Sequence, residues 1–216
     1  MTDEPSPAER VDDYVEHFAF SATLRDGTPV RLRPIAPKDR ERLIEGWKQL
    51  SASSRYLRFM RSKEKLSEKD LTYLTEIDYS DHFAWAAENL ASADTPGVGI
   101  ARYIRVPDEP EVAEAAVAVV DDLQRLGLGR LLLEALAQSA RENGIERFRA
   151  YVTGSNRQVL DALAAVGAER VGVAEGPDKI AGDDRGEHHG AGDGRIAEVA
   201  FGKNGPQAAE YHGAQD

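Results

Sequence analysis

Chemistry concentrates between Val112 and Arg141, VAEAAVAVVDDLQRLGLGRLLLEALAQSAR. An apolar, β-prone run (Ala115 to Val120) meets a sharp turn at Asp121-Asp122. It then passes through Gln124-Arg125-Leu126-Gly127-Leu128-Gly129 and continues as a Leu/Ala-rich helix. The order is strand, glycine turn, helix. Gly127 and Gly129 lack Cβ atoms where backbone N–H groups converge, and the helix N-terminus adds partial positive charge, so the turn suits a phosphate or pyrophosphate. Two glycines also simply let a strand pack close to a helix, so the dipeptide spacing alone does not decide.

The charge balance says what such a turn needs. Lys+Arg number 27 against Asp+Glu 38, a net charge of −11 over 216 residues. That field repels nucleic acid and anionic membranes, so neither is expected as a partner. An anionic ligand needs a local basic patch, which Arg125 and Arg130 can supply. With no cysteine there is no disulfide, thiolate metal site or Cys nucleophile. The acidic, Pro-containing start is unlike a signal peptide and no apolar run approaches about 20 residues, so a cytoplasmic location is the expectation.

The flanking elements follow from periodicity. Residues 1–13 lack apolar periodicity and read as a disordered tail. Phe18–Leu24 and Pro29–Ile35 alternate around Asp26-Gly27, a β-hairpin. Pro37 opens a helix ending near Ser51, an Arg-rich amphipathic piece follows from Ser53 to Met60, and Ser67 with Asp70 caps a third helix. Strands at His82–Glu88 and Val98–Arg105 lead into the strand already described, predicting an antiparallel meander in the centre of a sheet. The helix from about Leu126 stops at Asn143-Gly144, and Arg147–Val152 is the next strand. A helix from Gln158 to Val166 closes at Gly167, a strand begins at Glu169, and Ile196–Phe201 is the last strand. The Gly/Asp-rich residues 175–194 then read as an enlarged hairpin loop, and residues 204–216 as a flexible tail.

Strand, glycine turn, helix and second strand make a β-α-β unit with parallel strands. This order, with Gln124-Arg125-Leu126-Gly127-Leu128-Gly129, Asn156 and Gly167 in their places, resembles the GNAT acetyltransferase superfamily, whose cofactor motif is Gln/Arg-x-x-Gly-x-Gly/Ala. The resemblance spans roughly Leu24 to Phe201, and residues 14–203 are assigned to the domain. Within it, LRDGTPVRLRPI at 24–35, SSRYLRF at 53–59, Asp78-Tyr79 and Ala113-Glu114 look like the catalytic domain of bacterial Pat-type protein lysine acetyltransferases. Those carry a fused regulatory or synthetase-like region for which this chain has no room, so a stand-alone member is expected.

The resemblance implies an α/β (α+β) GNAT fold, a mixed, mostly antiparallel sheet whose parallel strands splay apart. It implies acetyl-CoA as acyl donor and no metal. The pantetheine arm would pair with backbone around Val119, Val120 and Asp121, and the pyrophosphate would sit on the turn formed by Gln124, Arg125, Leu126, Gly127, Leu128, Gly129 and Arg130. Asn156 would bond the cofactor or cap the helix that follows it. Glu114, ten residues before Gln124 as in the Pat-type pattern, would be the general base that frees the amine for attack. Alternation puts it on the face of Ala116, Ala118 and Val120; a solvated carboxylate at the strand start, beside Glu109 and Glu111, is the other reading. Where many GNAT enzymes have a Tyr that protonates the thiolate, this chain has Leu163, leaving Tyr151 or Ser155 as alternative donors. His188-His189 lacks a third ligand for a metal.

The expected activity is acetyl transfer from acetyl-CoA to a primary amine by direct attack in a ternary complex, with a protein lysine ε-amine as acceptor. The alternatives are a small-molecule amine, a protein N-terminus, or a GNAT module that binds acyl-CoA without catalysis.

Overall fold

Phe20–Thr23 (β1) and Pro29–Pro34 (β2) form the predicted hairpin, registered Phe20↔Leu32 to Thr23↔Pro29. Gly27 takes φ 90°, and Asp26 accepts the Thr28 N–H at 3.0 Å, the local bond that favours Asp-Gly in this turn. The computed structural model describes residues 6–59, 64–92, 97–153, 159, 168–169 and 194–200.

The disordered tail expected over residues 1–13 is corrected for residues 7–13, because Pro7–Phe18 is a helix, α1; residues 1–5 lie outside the described residues. Ser6 caps it, accepting the Glu9 N–H while Glu9 returns a bond to the Ser6 N–H, and Pro7 stands in the first turn. Val15 is fully buried, and Tyr14 packs on Tyr79 at 4.7 Å between ring centroids. Val11, Tyr14, Val15 and Phe18 recur at i, i+3, i+4 and i+7, a helical stripe that crosses the boundary drawn at residue 13.

A 3-10 turn at Pro37–Asp39 leads into α2 (Arg40–Gln49), followed by α3 (Ala52–Phe59) and α4 (Glu68–Thr75) with its Ser67/Asp70 capping box. His82–Asn89 (β3), Gly97–Val106 (β4) and Glu109–Val119 (β5) are the meander. Then come α5 (Leu128–Glu142), β6 (Arg147–Thr153), β7 (Ala168–Glu169) and β8 (Gly194–Ala200). Among the described residues eight strands form one sheet in the order β1-β2-β3-β4-β5-β6-β8-β7, with β5 and β6 parallel. β7 pairs antiparallel with β8; residues 175–193 of the expected hairpin loop and the expected tail 204–216 lie outside the described residues.

The main core lies between α5 and the sheet. Leu128, Leu132, Leu133, Leu136 and Ala140 pack against Phe83, Trp85, Tyr103, Ala113 and Phe148. Each such fully buried large side chain contributes about 1.5–3 kcal/mol by leaving water. α5 approaches β4 closely because Gly99 has no side chain: a Cβ there would stand 2.9 Å from Leu132 Cδ1. α2 sits on the other face, where Gly46 plays the same part against the Gly97 carbonyl.

One charged cluster is buried beneath α2. Arg33, 3% exposed, donates to both Asp39 oxygens at 2.7 and 2.6 Å and to Glu88 at 2.7 Å, and Arg42 also reaches Glu88. Burial works against the Arg33 charge, but its bonds to the two carboxylates more than reverse that, so it stays protonated. Removing one partner of a buried pair strands the other charge. Asp39→Ala is therefore expected to lose about 3–5 kcal/mol in urea unfolding. Lys38→Ala, which breaks the exposed Lys38–Asp12 pair, should lose under about 1 kcal/mol.

Candidate functional site

β5 and β6 pair through Val112↔Arg147, Ala113↔Phe148 and Glu114↔Arg149 only, although β5 runs on to Val119 and β6 to Thr153. Beyond Glu114 the two strands have parted. The ladder with β4 shows which backbone groups face the gap. Val120 donates to the Val98 carbonyl at 3.0 Å, so with strand alternation its even-numbered neighbours also turn their backbone toward β4. Ala115, Val117 and Val119 turn theirs toward the side β6 has left.

This corrects one expected backbone contact. Both polar groups of Val120 are taken, the N–H by Val98 and the carbonyl by the Leu123 N–H at 3.0 Å. Val119 is the residue whose edge faces the gap, its carbonyl holding the Gln124 side-chain amide at 3.1 Å.

Side chains alternate in the same way. Ala113 and Ala115 enter the α5 core. Glu114, Ala116, Ala118 and Val120 share the opposite face, where Ala118 and Val120 line an apolar cavity of about 80 Å³ with Trp47, Leu50, Leu74 and Ile100.

Glu114 is therefore not at the strand start, because β5 begins at Glu109. Its acidic neighbours are each neutralised: Glu109 takes Arg149 through two bonds of 2.9 Å, and Glu111 takes Arg147 at 3.0 Å. Among the described residues no side chain or backbone N–H donates to the Glu114 carboxylate. Burial pushes its carboxyl pKa up, partly countered by the charge of Arg149. Tyr151 stands two residues beyond Arg149 on β6 and so on the Glu114 side of the sheet. Burial and the Glu114 charge push its phenol pKa up as well, keeping the hydroxyl protonated. The mouth of the gap thus holds a half-buried carboxylate suited to take a proton and a phenol that retains one.

The glycine turn lies at the far end of β5. Asp121–Leu123 is a 3-10 turn, Arg125 and Gly127 follow at φ 64° and 99°, and α5 starts at Leu128. The helix starts after Gly127 rather than at Leu126 because a left-handed residue ends the turn there. Arg125 holds a conformation unfavourable for a side chain, which places Leu126 between two left-handed residues. The first N–H groups of α5, at Leu128, Gly129 and Arg130, have no acceptor within the helix, and its dipole adds to them. Such an arrangement of N–H groups can seat an anion.

The cations around it differ from expectation. Arg130 is paired with Glu134 at 2.7 Å, which spends part of its charge within the helix. Arg25, part of the 24–35 segment but given no site role there, lies across the turn: its N–H donates to the Leu126 carbonyl at 3.1 Å, and its Nε is 3.8 Å from the position of a Cβ on Gly127. Ser54 of α3 was also missed. Its hydroxyl donates to Asp121 Oδ1 at 2.7 Å, and Gln124 Nε2 joins the same carboxylate at 3.1 Å. No local pattern signals either contact, since both join elements far apart in the chain. Asn156, Leu163 and His188-His189 lie outside the described residues. Among the described residues no group of His, Cys, Asp or Glu is placed to hold a metal ion.

Residues 48–168, more than half of the chain, match the Acetyltransferase (GNAT) family. The chain is 38% identical over 146 residues to "Acetyltransferase Pat" of Mycolicibacterium smegmatis, covering 66% of this chain and 43% of that protein's length. It is 34% identical over 153 residues to "Acetyltransferase PA5475" of Pseudomonas aeruginosa, covering 71% of this chain and 82% of that protein. The solved GNAT domain of S. lividans PAT superposes with a TM-score of 0.70 at 30% identity, over 87% of this chain and 99% of that domain.

The Glu114 environment can be checked without any substrate. Carboxyl NMR should find Glu114 titrating above the ordinary Glu value of about 4.3, and Arg149→Gln should raise it further by removing the cation that lowers it. A raised folded-state pKa favours the protonated form. Its contribution to stability is fully present below the unfolded value and is lost as pH rises through the folded one. Glu114→Gln is thus expected to melt at a higher temperature than the parent near pH 7, with the gain vanishing in acid.

Proposed function

Because the chain belongs to the GNAT acetyltransferase family, we propose that it transfers an acetyl group from acetyl-CoA to a primary amine, a protein lysine ε-amine, by direct attack in a ternary complex. The observation that carries this reading is the parting of β5 from β6 immediately after Glu114. It leaves the backbone edge of Ala115 and Val117, and the N–H of Val119, facing the gap beside a half-buried carboxylate. An extended arm with amide groups, such as pantetheine, can complete that edge and lead its thioester to the mouth of the gap, with its phosphates on the glycine turn.

Each step then has a group to perform it. An acceptor ammonium must lose a proton before its nitrogen can attack the thioester carbon. Glu114, with its raised pKa, takes that proton directly or through water. The C–N bond forms and the C–S bond breaks, and the extra proton left on the nitrogen passes through water to the departing thiolate, giving the amide and the free thiol. Tyr151 offers that thiolate a hydrogen-bonding hydroxyl, in place of the family's usual tyrosine, whose position is Leu163 here. A lysine acceptor is favoured by the resemblance of the 24–35 and 53–59 segments to Pat-type catalytic domains. The net charge of −11 suits a cationic partner.

Thiol release from acetyl-CoA with lysine peptides, N-terminal peptides and small amines tests the reading. Release with lysine peptides is the expected result, whereas measurable donor binding without release from any amine would identify a binding module. Glu114→Gln should cut kcat on the order of 10²-fold or more with donor affinity intact. The activity of the parent should fall as pH drops through the raised Glu114 value, since the base must be ionised. Tyr151→Phe should lower kcat with little change in KM for acetyl-CoA.

A further inference from the structure

The anion seat at the glycine turn is short of positive charge from its own segment. Asp121 and Asp122 stand where β5 enters it, Arg130 is tied to Glu134, and the protein as a whole is anionic. A donor carrying a diphosphate and a 3′-phosphate must nevertheless approach this point. The β1–β2 hairpin, separated from the turn by about a hundred residues of sequence, brings a cation to it. Arg25 is anchored by its backbone to the Leu126 carbonyl at 3.1 Å. Its side chain runs over Gly127, with Cγ and Nε at 3.9 and 3.8 Å from where a Cβ would stand. The hairpin itself is rigid at this point: Asp26 accepts from Thr28 N–H and hydroxyl at 3.0 and 2.8 Å, and Gly27 donates to Leu24 at 3.0 Å. Among the described residues no carboxylate pairs with the Arg25 guanidinium.

We propose that Arg25 is a phosphate-binding residue for the acyl donor, its guanidinium closing from the hairpin side over an anion seated on the turn and the start of α5. The proposal rests on the donor reading given above. A guanidinium presents two parallel donors that match two phosphate oxygens. Its backbone tether holds it beside the turn before ligand arrives, so little ordering is needed on binding.

The test compares the parent, Arg25→Gln and Arg25→Lys by calorimetry with acetyl-CoA and acetyl-dephospho-CoA, and by kcat/KM with S-acetylpantetheine, which has no nucleotide phosphates. Arg25→Gln should weaken acetyl-CoA binding about 10- to 100-fold, reduce the dependence of affinity on salt, and leave S-acetylpantetheine turnover unchanged. Arg25→Lys should recover part of the loss. If the loss persists with acetyl-dephospho-CoA, the diphosphate is the partner; if it disappears there, the 3′-phosphate is. Equal acetyl-CoA affinity in the parent and Arg25→Gln overturns the proposal. So does an equal loss with S-acetylpantetheine, which would show that Arg25 only shapes the turn. A parent protein that binds no acetyl-CoA overturns the donor reading and this proposal together, a result distinct from the other two.

Discussion

After Glu114 and Arg149, β5 and β6 no longer share hydrogen bonds, and the rest of the site is arranged around that point. Both strands continue, so the gap has two walls of regular backbone. β5 is held straight by its antiparallel ladder with β4, and α5 covers its odd-numbered face. Only the edge toward β6 is left open. A strand fixed along one edge and one face presents its remaining polar groups at a regular spacing, which a loop could not do. Glu114 occupies the last paired rung, where burial has begun and solvent is still within reach.

The two ends of the gap have opposite electrostatic characters. At the mouth, Glu109 and Glu111 are matched by Arg149 and Arg147, and among the described residues Glu114 has no ion pair. At the far end, backbone N–H groups and the hairpin arginine make a positive seat inside an acidic protein. The elements supplying these features are braced elsewhere. Arg33, Asp39 and Glu88 tie β2 and β3 to the start of α2, while Gly99 lets α5 settle on β4. The position of the turn is thus set by packing on a strand other than the one that leads into it.

Features carried by neighbouring residues were readable from the chain: the Asp26-Gly27 hairpin, the Ser67 cap, the meander, and the glycine turn with its helix. The parallel strand order followed from the β-α-β unit. Less readable were features made across distance. α1 carries Val11, Tyr14, Val15 and Phe18 at helical spacing, but they are set among acidic residues, and composition alone made its first half read as a tail. Val120 looked like backbone available to a ligand because periodicity gives the side-chain face but not which neighbour each N–H serves; the register with Val98 decides that. Arg25 and Ser54 meet the turn only after the sheet and α3 have assembled. Arg130 matched the expected position, but its i,i+4 neighbour Glu134 competes for its charge.

The open side of β5 also has a meaning for the protein as a polymer. An exposed row of N–H and C=O groups is what sheet proteins usually cover, since it invites pairing with a strand from another molecule. Here that hazard lies recessed between two strands of the same sheet, where a second protein chain would have to thread the cleft to reach it. A slender, amide-bearing ligand meets no such obstacle. The recess therefore acts as a size filter on backbone pairing: the feature that would make an outer strand prone to aggregate becomes, three rungs inside the sheet, a template open only to something thinner than a protein.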